Sequence, residues 1–198
     1  MSKTPRANPV AARSRSALLD AAKTLLEARP APEISIKELV DAAGMSRPTF
    51  YQHFSDLGSL FAAVGLTRLE ETFALVEDSR AGEAEPTTPE ALTVLFTELI
   101  ARMNEHALFY ARIHESQGGS AFHAAVVDAT VEWLRQKPLL EHWAGAEPEA
   151  WEFLAAGVVW SVTRYLAAAC RAPETTPSPV PDLVRILTSI AGAEPVHG

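Results

Sequence analysis

The stretch Ile34–Phe54 constrains this chain more than any other, because its residues fit two short helices joined by a tight turn and little else. Ser35 stands where an N-cap belongs, and Glu38 follows at the three-residue spacing of a capping box. Ile36, Leu39 and Val40 fall at i, i+3 and i+4, one apolar face of a helix. Ala42 and Ala43 permit a close helix approach, and Gly44 ends the helix where a positive φ is needed. Met45 is an apolar plug in the turn. Ser46 can cap a second helix, whose first turn accepts Pro48 because no intrahelical N–H bond is due there. This is the turn chemistry of a helix-turn-helix.

The second helix divides into two faces. Phe50 and Phe54 lie four apart and point back into the domain. Ser46, Arg47, Thr49, Tyr51, Gln52 and His53 occupy the other sides, an odd set for a merely solvated face. Arg can pair with guanine O6/N7 and Gln with adenine N6/N7, while hydroxyls suit phosphate oxygens. Ser35, Lys37, Ser46, Arg47, Pro48, Thr49, Tyr51, Gln52 and His53 are therefore the candidate DNA-contacting residues.

At these positions the chain resembles the TetR family of bacterial transcriptional regulators. The resemblance is carried by Ser35-Ile36-Lys37-Glu38-Leu39, by Ala43-Gly44-Met45-Ser46, and by Thr49-Phe50-Tyr51-x-His53-Phe54. The last run is more specific than a generic helix-turn-helix pattern. By motif the resemblance covers roughly residues 12–65, and beyond that it rests on length and helical pattern. It implies a homodimeric repressor in the cytoplasm whose body binds a small molecule. Ligand would swing the helix after the head like a pendulum, so that two heads no longer fit successive major grooves. A hundredfold ligand preference for the state released from DNA corresponds to about 2.7 kcal/mol of coupling. One position departs from the family. A lysine that binds phosphate commonly follows the His-Phe pair by three residues, and here Leu57 stands in its place.

Charge distribution agrees with a DNA-reading head on a separate body. Residues 1–60 carry 8 Lys/Arg against 6 Asp/Glu, and residues 61–198 carry 9 against 19, which gives +2 and −10. A head of +2 is weakly basic for a DNA reader, so chance asymmetry is an alternative. One cysteine, Cys170, leaves no internal disulfide framework and suits a reducing cytosol. Its proximity to Arg171 would suit a redox sensor, but a lone buried thiol is the favoured reading. The N-terminal Lys3, Arg6, Arg13 and Arg15 precede no apolar run of the kind a secretory signal requires.

The helical pattern runs the length of the chain. Residues 1–9 read as a flexible arm whose Lys3 and Arg6 could reach a groove or remain solvated. The head, 10–55, opens with a helix over Ala11–Arg29, striped by Leu18, Ala22, Leu25 and Leu26 and stopped by Pro30. Asp56 caps a helix over Leu57–Ser79, and a loop with Gly82, Glu85 and Pro86 follows. The body, 56–198, continues with predicted helices over Pro89–Asn104, His106–Glu115, Ser120–Lys137, Glu149–Arg171 and Asp182–Ala191. A connection over Leu139–Glu147 and a proline-rich linker from Pro173 to Pro181 separate the last three. The expected fold is all-α, a three-helix head followed by a helical ligand-binding and dimerisation body.

The last two helices are apolar over more surface than one chain needs to bury. Both could pair with the same helices of a second copy, the arrangement that TetR-like proteins use. A palindromic operator needs two heads about one DNA turn apart.

Enzyme signatures do not emerge. There is no glycine-rich phosphate loop, no Cys-x-x-Cys, no His-x-x-x-His and no Gly-x-Ser-x-Gly, so neither a catalytic centre, a metal nor a cofactor is expected. A small all-helical enzyme would leave Arg47, Tyr51, Gln52 and His53 unexplained. The body's rings include Phe96, Phe109, Tyr110, Trp133, Trp143, Trp151 and Trp160, and some should line a pocket between helices. Met103, His106, Tyr110, His114 and Trp160 are the candidate ligand residues, against plain core packing for each. If the body is solid core instead, the chain is a ligand-independent DNA-binding or adaptor protein.

Overall fold

The computed structural model describes residues 9–83, 86–143, 146–172 and 174–191. The arm with Lys3 and Arg6, the loop residue Glu85, the first linker residue Pro173 and the side chain of Trp143 lie outside the described residues. The described residues form helices α1 (Pro9–Ala28), α2 (Ile36–Ala42), α3 (Arg47–His53), α4 (Leu57–Ser79) and α5 (Pro89–Asn104). They continue with α6 (Ala107–His114), α7 (Gly119–Arg135), α8 (Pro148–Ala169) and α9 (Val180–Ala191), and include no strand. The 139–147 connection contains a 3-10 turn over Pro138–Trp143. The all-α architecture expected from the periodicity is the observed one.

Two compact units divide these helices. One runs to Gly65 and takes in Arg112–Phe122; the other comprises Leu66–Ala111 and the chain from His123 onward.

In the first unit, α1 buries Leu18, Ala22 and Leu26, α2 buries Leu39 and Val40, and Phe50 is buried from α3. Leu60, Phe61 and Val64 of α4 and Ile113 of α6 complete this core. α1 has no basic residue in its last turn. Its terminal carbonyls are met from far along the chain: Arg112 Nη1 donates to Leu26 O at 2.6 Å and to Glu27 O at 2.7 Å. A guanidinium placed there satisfies orphan acceptors and faces the negative end of the helix dipole. The turn before α7 is held by backbone against backbone. A Cβ on Gly118 would stand 2.2 Å from Gly58 O, and one on Gly119 would stand 2.1 Å from His114 O. Both positions therefore exclude any side chain.

In the second unit, Leu95, Phe96, Leu99 and Ile100 of α5, Trp151, Leu154, Ala155 and Val159 of α8, and Leu183, Val184 and Leu187 of α9 are buried. Arg68 is buried too, its guanidinium 4.4 Å from the Phe109 ring centroid. α8 carries apolar residues beyond one face, with Glu152 and Arg164 exposed among them, and only part of it turns inward. Phe153 is 84% exposed and Trp160 58%, and Ile186 on α9 is 42% exposed. With Gly157, Ser161 and Ile190 they border an open apolar groove along α8 and α9. Cys170 corrects the expectation of a buried thiol. It is exposed, because it caps the C-terminus of α8 one residue beyond the last buried position, Ala169.

Candidate nucleic-acid interface

α3 has seven residues, too few to hold a helix in water, so its ends and its back must fix it. The turn before it does this first. Gly44 takes φ 64°, its N–H donates to Asp41 O at 3.2 Å, and the Met45 N–H donates to Val40 O at 2.8 Å. These two bonds make a Schellman motif, which needs a residue free of Cβ strain at the left-handed position. Ser46 Oγ then accepts the Thr49 N–H at 3.3 Å, and Pro48 occupies the first turn. From behind, Phe50 is fully buried and Phe54 nearly so, their ring centroids 6.1 Å apart.

What this scaffold leaves outside is Arg47, Pro48, Tyr51 and Gln52, all exposed. Tyr51 is braced on one side, its ring at 84° to that of Phe50 and 5.2 Å away. Thr49 and His53 are half-buried. His53 Nε2 lies 2.8 Å from Ser14 Oγ on α1, and that hydroxyl also lies 3.0 Å from Val10 O. The Ser14 hydroxyl and the His53 ring share a hydrogen bond whose donor is set by the imidazole tautomer. His53 thereby ties α3 to α1, a role the sequence pattern did not reveal. Arg13, Ser14, Met45, Thr49, Gln52 and His53 border an open groove along these two helices.

The two remaining candidates sit at the start of α2. Lys37 is exposed, 3.6 Å from Asp41. The Ser35 hydroxyl is engaged in the capping box: it accepts the Glu38 N–H at 3.3 Å and donates to Glu38 Oε2 at 2.9 Å. That bond, helped by Arg29 at 2.9 Å, holds the Glu38 carboxyl below the ordinary range. At the start of α4, Leu57 is half-buried and the Ser59 N–H already donates to Asp56 Oδ1 at 2.7 Å. This backbone bond lowers the Asp56 pKa.

The five candidate ligand residues do not form one site. His114 belongs to the first unit and is exposed. Trp160 is exposed beside the α8–α9 groove, with Arg164 4.8 Å from its ring centroid, so its placement in an interior pocket is corrected. Apolar residues spread beyond one face of α8, so the sequence gives no signal for which ring turns in. His106 is half-buried, and burial raises the pKa of the Tyr110 phenol. Met103 does line a cavity, of ≈ 60 Å³, among Phe96, Thr130, Trp133 and Val159. A second cleft of ≈ 420 Å³ opens beside it, bordered by Arg80, Gln136 and Lys137. Phe73, Leu99 and Trp133 line both. Phe73 and Trp133 stack at 6.0 Å and 14°. Among the described residues no group of His, Cys, Asp or Glu could hold a metal ion, and no helix is long and apolar enough to cross a membrane.

A capped α2, a glycine turn and a back-anchored α3 with polar and cationic side chains outward define a helix-turn-helix DNA-binding domain. Residues 18–64 match the sequence model of bacterial regulatory proteins, tetR family. That segment, the head of the chain, is a domain of this family. Solved structures share its fold along most of its length. RolR, in complex with resorcinol, is 16% identical with a TM-score of 0.67, over 94% of this chain and 97% of that one. The transcriptional regulator FadR from Bacillus subtilis, in complex with stearoyl-CoA, is 10% identical with a TM-score of 0.56, over 88% and 98%. FadR from Bacillus halodurans, a fatty acid degradation regulator, is 12% identical with a TM-score of 0.52, over 96% of each chain. No curated protein matches the sequence.

Proposed function

We propose that this protein is a homodimeric transcriptional repressor that a small molecule releases from its operator. The observation that carries the reading is α3: Arg47, Tyr51 and Gln52 are exposed on a helix whose back is locked by Phe50. Arg47 and Gln52 reach base edges in the major groove. Tyr51, Thr49 and Ser46 meet phosphates, with Pro48 shaping the helix start. Lys37 and the α2 start lie close enough in sequence to add backbone contacts. Leu57 supplies no phosphate contact, so affinity leans on the remaining donors.

The α8–α9 groove is the surface for the second copy. Burying Phe153 or Trp160 stabilises by about 1.5–3 kcal/mol each, and exposed rings this large mark an interaction surface. Release by a ligand is supported by the cavity beside Met103 and by the relatives whose structures hold resorcinol or stearoyl-CoA.

Selection of source-genome fragments by the full chain, followed by a gel-retardation titration, tests the reading. A palindromic fragment retarded at nanomolar dimer and freed by one compound of a metabolite panel is the expected result. Specific retardation that no compound relieves would leave a ligand-independent DNA-binding protein. No preference over random DNA would remove the reading altogether.

A further inference from the structure

Resting on the ligand-release reading above, we infer that Phe73 and Trp133 are a movable partition inside one binding site for an uncharged aromatic compound bearing a hydroxyl group. The two spaces on either side of these rings are each incomplete. The inner cavity, ≈ 60 Å³, is too small for a single aromatic ring, since an apolar cavity of about 150 Å³ is what takes up benzene. The outer cleft, ≈ 420 Å³, is of ligand size but largely polar at its rim. Phe73, Leu99 and Trp133 border both, so turning the Trp133 indole joins them.

The chemistry of the walls selects the ligand. The inner lining carries no ionisable group, so a charge there would go unpaired. At the outer rim Arg80 is already paired with Glu83 at 2.7 Å, and Gln136 donates to Glu132 at 3.0 Å. The wall itself is aromatic: Phe73 stacks on Trp133, and Phe96 meets Trp133 edge-on at 5.9 Å and 68°. A flat ring that replaces one member of this stack keeps its contacts. Two hydroxyls line the inner cavity, those of Thr130 and the half-buried Thr163. Thr130 is buried and directs its only proton to Val126 O at 2.7 Å, so its oxygen can still accept. A ligand hydroxyl is the complementary donor.

The test uses the full chain labelled with 5-fluorotryptophan, the Trp133 resonance being assigned by its loss in Trp133→Phe. 2-Naphthol and naphthalene serve as probes. Saturable binding of 2-naphthol that shifts the Trp133 resonance is expected, with naphthalene bound more weakly. Thr130→Val, close in shape, should weaken 2-naphthol about fivefold and leave naphthalene unchanged. Saturation with Trp133 unmoved overturns the partition. An undiminished preference for 2-naphthol in Thr130→Val overturns the anchor. Absence of any binding below millimolar overturns the ligand class, while the repressor reading is decided separately by whether some other compound frees the operator.

Discussion

Arg47 is the side chain whose loss separates base reading from backbone grip. Arg47→Ala should weaken operator binding by about 1–3 kcal/mol and relax preference at one base position. An equal loss on all sequences, measured by competition with random DNA, would reassign it to phosphate. Tyr51→Phe should weaken specific and random DNA alike, and unchanged affinity would take Tyr51 out of the contact set. Ser14→Ala strips His53 of its hydrogen-bond partner on α1 and should lower head stability by about 1 kcal/mol in urea unfolding, with less effect on random-DNA affinity than Tyr51→Phe. Most of this site was legible in the sequence, because Ser35, Gly44 and Ser46 announce local backbone geometry and Phe50 and Phe54 fix which side faces in. The Ser14–His53 bond was not, since it joins residues 39 apart whose meeting depends on how α1 crosses α3.

Helix bounds followed the same logic. α4 and α5 begin and end where the sequence placed them, because Asp56 with Ser59, and Thr88 with Pro89, cap their starts by local bonds. α9 begins at Val180, ahead of the expected Asp182, where the Ser178 hydroxyl accepts the Val180 N–H. Long-range capping leaves no local trace, and Arg112 is the example. Arg112→Met, which retains most of the apolar stem, should destabilise α1 by about 1.5–3 kcal/mol, since both bonds involve a charged donor. Hydrogen exchange in the last turn of α1 checks it, and unchanged protection there would deny the cap. The capping carboxylates set an acid limit. Glu38 and Asp56 are both lowered, so their contribution is full above the ordinary values of 4.5 and 3.8 and fades as pH falls through the lowered ones. Glu38→Gln should flatten that part of the acid unfolding curve.

For the whole molecule, the decisive surface is the one turned outward along α8 and α9. Its sequence said that these helices carried surplus apolar residues; it did not say that Phe153 and Trp160, rather than Val158 and Val162, would be the side chains left most exposed. Phe153→Glu with Trp160→Glu should convert dimer to monomer in analytical ultracentrifugation and abolish retardation of a palindromic fragment, while far-UV dichroism stays that of the parent. A dimer that survives both changes would move the interface elsewhere. Alkali offers an independent probe of the body. The Tyr110 phenol is raised by burial, so its neutral form stabilises the fold fully below pH 10.0 and that share is lost as pH climbs through the raised value.

Under the proposed pairing, the uncovered rings of Phe153 and Trp160 would also set how the protein responds to its own abundance. If only the paired form grips DNA, promoter occupancy at low expression follows the square of the number of chains per cell. Halving synthesis would then quarter that occupancy, and DNA binding would gain a threshold that no residue of α3 encodes.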